Sequence, residues 1–307
     1  MLGLGKVLYD QPQQPPIPEG WIFRSLVAIA ALMRSTGAFL AMGTSAILLG
    51  LVLAKLRNSV PMPRKLAANL VQSIPDLIMG LLISWLLLRF AHKAKLSDLG
   101  LPLVRSAITE TLVSMLGGGL MIALLVLPFV VGGMGEIVSA ETKIRGPYGL
   151  IVLMVMMFIA AFSEELIMRG YVFQTLVQPI HMLGAILATS APFAALHWNN
   201  PGANEYTIVN TFLAGAALGM LMAWRRSLWA AAGAHFGWNF ACVLFGLNVS
   251  GMPVPVVPFT IRWKVDEIWT GGSYGPEGGL PCTILLSALL LVLIRLYYHR
   301  EEGSRVA

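Results

Sequence analysis

The stretch FIAAFSEELIMRGYVF, Phe158 to Phe173, decides the fold. It sets Ser163, Glu164, Glu165 and Arg169 inside an apolar segment long enough to cross a bilayer. Charged groups are expensive in hydrocarbon, and where they occur they face a bundle interior or a water-filled cavity and mark function. So the stretch predicts a membrane helix with one working face, packed against other helices that supply partners for the charges.

The rest of the chain agrees. Of 307 residues, 57% are hydrophobic and only 12% charged, about half the usual charged share of a soluble domain. Mean hydropathy is +0.75. These values predict an all-α, polytopic membrane helix bundle, and they exclude a soluble globular fold. The net charge of +6 comes from cations scattered between apolar segments, which suits lipid headgroups and not nucleic acid. Cys242 and Cys282 lie in or beside apolar segments without metal-type spacing and are expected to be packed core residues.

A span needs about 20 apolar residues, and about eight transmembrane helices are expected: 35–54, 70–90, 107–131, 148–177, 180–197, 206–224, 228–249 and 281–298. The second is expected to break at Pro75-Asp76. Residues 1–34 read as a flexible or surface-lying lead-in, Pro- and Gln-rich, without a cleavable signal peptide, with an interfacial helix at 22–33. N-terminal transmembrane helices over 35–131 then precede a catalytic set over 148–298, which holds a long Pro/Gly-rich loop at 251–280, either a folded cover or a plain connection. Trp263 and Trp269 in that loop suit headgroup depth. The basic connections lean toward both termini in the cytoplasm.

Three polar clusters lie in the second half. Glu165 and Arg169 are i and i+4, on one helix face. Glu164 lies about 100° around the helix and needs another neighbour. Phe193 and His197 in PFAALHWNN share a second face, and His235 and Asn239 in GAHFGWNFA a third. Each has a plain alternative: a structural ion pair, a headgroup histidine, a polar glue between helices. Their succession on neighbouring segments favours one cavity, since the first half offers only Asp76 and Glu110. A carboxylate beside an imidazole can activate water, and an imidazole with a carboxamide can donate to an oxyanion. That set suffices to hydrolyse an amide without a covalent intermediate. Ser163 lacks a G-x-S-x-G elbow, and H-E-x-x-H is absent, although two histidines and a glutamate from separate helices leave a metal open as an alternative.

The ordered motifs E-E-x-x-x-R in EELIMR, F-x-x-x-H in FAALH and H-x-x-x-N in HFGWN resemble the CAAX protease and bacteriocin-processing family, also called Abi. That family includes the Ras-converting CAAX prenyl endopeptidase. The likeness covers roughly 150–280, and NTFLAGAALGMLMAWRRSLWAAAGAHFGWN and TGGSYGPEG are similar to its bacterial branch. The resemblance implies a glutamate intramembrane endopeptidase without metal or other cofactor. By it, Glu164 is the general base, helped by His197. His235 and Asn239 form the oxyanion site, Glu165 and Arg169 support the glutamate helix, and Phe193 shapes the pocket. It further implies a multi-pass protein of the bacterial cytoplasmic membrane, acting on a membrane-associated protein or peptide. Pro192 marks a kink just before Phe193. Two other readings stand beside this one: a non-catalytic member serving bacteriocin self-immunity or a scaffold, and a transporter or proton relay. Gly215 and Gly219 form a G-x-x-x-G that either packs helices within the bundle or supports a homodimer.

Overall fold

The computed structural model describes residues 7–10, 21–53, 64–144 and 146–306. Eight long helices run through them: α1 Trp21–Leu53, α2 Arg64–Leu87, α3 Arg105–Val131, α4 Gly146–Ile167, α5 Phe173–Leu196, α6 Glu205–Arg225, α7 Leu228–Leu244 and, after a short α8 at Glu267–Thr270, α9 Leu280–Val306. Lipid offers the backbone no hydrogen bonds, so apolar chain that crosses it must satisfy its own N–H and C=O groups by coiling. Six stretches are long and apolar enough to span by length and composition, and one of them, Gly146–Leu196, holds 51 residues. That is enough for two crossings, and its backbone turns twice. A π-helical turn at Met168–Val172 carries Gly170 at ψ −121°. His181, after Pro179, then adopts φ 63°, ψ 166°. The second turn falls where the sequence separates its fourth and fifth spans. Gly146–Leu196 therefore folds as two arms, and α7, with 17 residues, lies inside the bundle with most of its residues buried. The chain is a polytopic helical membrane bundle.

Several local expectations change. The apolar piece at 22–33 is continuous with α1. The lead-in is not wholly loose: Val7 and Leu8 are buried, and the Leu8 N–H donates to Gln174 Oε1 at 3.2 Å. Apolar side chains at both positions supply the reason, since the turn docks on α5. Residues 1–6 and 11–20 lie outside the described residues. Pro75 does not break α2, which stays helical through it, as membrane helices tolerate proline when neighbours re-satisfy the freed groups. Pro192 likewise sits within helical backbone, and the break in α5 is at His181 instead.

Two short strands were not foreseen. β1 (Gly135–Ser139) pairs antiparallel with β2 (Phe259–Trp263), from Gly135 opposite Trp263 to Ser139 opposite Phe259. The 251–280 connection is thus folded, holding β2, α8 and a tight turn at Pro276–Gly278. Trp269 is exposed on it, and the Trp263 ring meets Phe129 edge-on at 6.3 Å.

Helix α3 packs on α7 through glycine. A Cβ on Gly233 would strike the Thr111 backbone, one on Gly237 the Met115 carbonyl, and one on Gly118 the Ala234 carbonyl. Absent side chains let the two backbones meet. Gly215 and Gly219 also face inward, toward Ser190 and Arg169 and toward Ile186 respectively.

Candidate active site

The charges of the opening stretch sit where α4 hands over to the π-turn. Glu165 and Arg169 are fully buried, and Arg169 Nη1 donates to Glu165 Oε1 at 3.1 Å. Arg169 Nη2 donates to the Gly215 carbonyl of α6 at 2.8 Å, and its guanidinium lies 4.5 Å over the Phe193 ring of α5. Glu164, one residue back and round the helix, is not equivalent. Its side chain keeps 44% of its exposure where Glu165 keeps none, although Oε2 lacks a hydrogen-bond partner in both.

Helix α7 delivers His235 between the two carboxylates. Its Nδ1–H donates to Glu165 Oε1 at 2.9 Å, and Nε2 stands 3.9 Å from Glu164 Oε2. The glycines at 233 and 237 press one side of α7 onto α3, which leaves His235 free to point the other way. Asn239 follows one turn later. Phe193 ties the set together: its ring is 4.9 Å from that of His197 and 6.0 Å, edge-on, from that of His235.

His197 caps the end of α5. Its Nδ1–H donates to the Phe193 carbonyl of its own helix at 2.8 Å, leaving Nε2 as its free nitrogen. The imidazole beside Glu164 is that of His235. The Ser163 hydroxyl donates to the Ala160 carbonyl at 2.9 Å, so it is spent on its own helix. Cys242 and Cys282 are buried free thiols in an apolar cluster.

His197, His235 and Asn239 share the wall of a cavity of about 220 Å³, together with Phe193 and apolar residues of α3, α6 and α9. The same wall holds Glu277 and Ser250, which sequence reasoning did not single out. Trp238 Nε1–H donates to Glu277 Oε1 at 3.1 Å, and the Ser250 hydroxyl to Oε2 at 3.1 Å, joined by the Ser250 backbone N–H. Asn210 of α6 fixes this loop, donating to the carbonyls of Glu277 at 2.7 Å and Gly279 at 2.9 Å. The signal was a glutamate inside a Pro/Gly run, a pattern that elsewhere marks a solvated turn. Among the described residues no group of three or more His, Cys, Asp or Glu side chains is placed to hold a metal ion.

Residues 146–241 match the family model described as Type II CAAX prenyl endopeptidase Rce1-like. This segment, about a third of the chain, is similar to that family. It runs from the start of α4 into α7 and contains Glu164, Glu165, Arg169, Phe193, His197, His235 and Asn239. Ser250 and Glu277 lie beyond it. No curated protein matches the chain. The Rce1-like match supports a protease hydrolase in general, and with the apolar helices it supports a multi-pass integral membrane protein.

Proposed function

We propose that the protein is an intramembrane endopeptidase that hydrolyses a peptide bond of a membrane-associated protein or peptide with a glutamate-activated water. The observation that carries this reading is His235 standing between two unlike carboxylates, 2.9 Å from Glu165 and 3.9 Å from Glu164. Glu165 is buried and committed to Arg169, so it orients the imidazole. Glu164 is half-exposed and has no cation of its own, so it is the carboxylate that water reaches and it takes the proton. A gap of 3.9 Å exceeds a direct hydrogen bond and suits a bridging water.

The remaining roles follow from which atoms are free. Asn239 supplies amide N–H donors to the oxyanion that forms as water adds to the carbonyl. His197 presents the lone pair of Nε2 to the cavity while its Nδ1–H is held by the Phe193 carbonyl, so Nε2 takes up the proton that Glu164 drew from water and hands it to the leaving amine. This departs from the division implied by family resemblance, in which His197 assists Glu164. The chemistry needs no metal or cofactor. The site would serve a peptide delivered by the bilayer, in a bacterial cytoplasmic membrane.

Glu164→Gln keeps the shape of the side chain and removes the base. We expect peptide cleavage by the purified variant to fall by about 10²–10⁴-fold, with the thermal midpoint unchanged because Glu164 makes no hydrogen bond to lose. Cleavage at the parental rate would refute the role of Glu164.

A further inference from the structure

Glu277 is a carboxylate that the proposed reaction leaves unused. It reaches the cavity from the connection between α7 and α9, beyond the Rce1-like segment, and shares the wall with His197, His235 and Asn239. Its placement is built. Trp238 and the hydroxyl and backbone N–H of Ser250 hold the carboxylate, while Asn210 holds the main-chain carbonyls of Glu277 and Gly279. Thr283 in turn donates to Asn210 Oδ1 at 2.6 Å. An ionised carboxylate has about four acceptor positions, and three donors leave one.

All three donors are neutral. Among the described residues the two carboxylates with the least exposure have cations: Glu165 has Arg169, and Glu110 has Arg225, whereas the part-buried Asp76 of α2 has Gln72. Buried charge is ordinarily paired, because an uncompensated ion in a poor dielectric is costly. Burial raises the Glu277 carboxyl above the usual carboxylate range, and the Ser250 donors, His197 and Trp238 draw it back. A cation in the cavity would complete the compensation. Most of the remaining wall is apolar, including Met121, Leu218 and Leu286. A basic side chain fits such a place, its stem against the apolar wall and its head on the acid.

We propose that Glu277 is a specificity-determining residue that receives a cationic group of the peptide substrate, the side chain of a lysine or arginine or a free α-amine. Its use in cleavage rests on the peptidase reading above; its use in binding does not.

The test is a set of peptides that differ only in carrying Lys, norleucine or Glu at each position in turn, given to the full-length protein in lipid nanodiscs. At one position Lys should exceed norleucine by about tenfold or more in kcat/KM, with Glu lowest, and Glu277→Gln should flatten that ranking. Equal rates for Lys and norleucine at every position in the parental protein would overturn the proposal, whether or not the variant folds. So would a uniform loss across all peptides in Glu277→Gln, which would make the carboxylate a counter-charge for His197 or a loop anchor. Binding separates the two readings. Fluorescence anisotropy of the Lys and norleucine peptides on the Glu164→Gln protein reads Glu277 without turnover. A Lys preference there, in a protein whose parent cleaves nothing, would sink the peptidase reading and keep this one; no preference there would overturn it.

Discussion

Arg169 engages three elements at once: Glu165 on its own helix, the Gly215 carbonyl on α6 and the Phe193 ring on α5. Only the first was legible in the sequence, because i and i+4 is a local relation. The others join residues far apart in the chain, and no spacing announces them. The inequality of the two glutamates was also legible, from the 100° offset between adjacent helical residues. Which histidine meets them was not, since His197 and His235 are equally spaced motif members until their helices pack. Arg169→Met should cost about 3–5 kcal/mol, because it strands Glu165 as an unpaired buried charge. Thermal unfolding in detergent would show the loss, and adding Glu165→Leu should recover much of it. A single variant as stable as the parent would mean that Glu165 is neutral in the fold.

At the scale of elements, the α3–α7 seam sets the depth and direction of His235. Gly233 and Gly237 lie on the side of α7 that touches α3, and His235 and Asn239 on the side that faces the cavity. Gly237→Ala would drive a methyl into the Met115 carbonyl. Overpacking of this kind costs about 1–3 kcal/mol, and the shift would carry His235 with it. We expect a lowered thermal midpoint together with a fall in activity, whereas alanine at Gly119, whose nearest neighbours lie at ordinary contact distance, should leave both nearly intact. The long helices themselves were legible because twenty apolar residues permit little else in lipid. The β1–β2 ribbon was not. Its strands are five residues each, and what stabilises them is pairing across more than a hundred residues, which no local pattern encodes.

At the scale of the molecule, Arg226 pairs with Asp10 near the start of the chain at 3.1 Å and with Glu301 near its end at 3.4 Å. Eight crossings would bring the two ends to one face in this way, and the ribbon and the 251–280 connection then lie on the other. A cysteine at Ser273 and one at Glu302, both exposed, should therefore react with an impermeant maleimide from opposite sides of sealed vesicles. Reaction from the same side would mean that one crossing has been miscounted. The turn at His181 has a consequence for the surrounding lipid. After it, the arm from 182 to 196 rises only about 22 Å, at about 1.5 Å per residue. A hydrocarbon layer of about 30 Å cannot be matched by so short a rod, and hydrophobic mismatch of that size is relieved by thinning the bilayer locally. The membrane beside His197 would then be pinched. Headgroups and water would dip toward the imidazole there, and a peptide resting on the surface would have less far to sink before its backbone met the site.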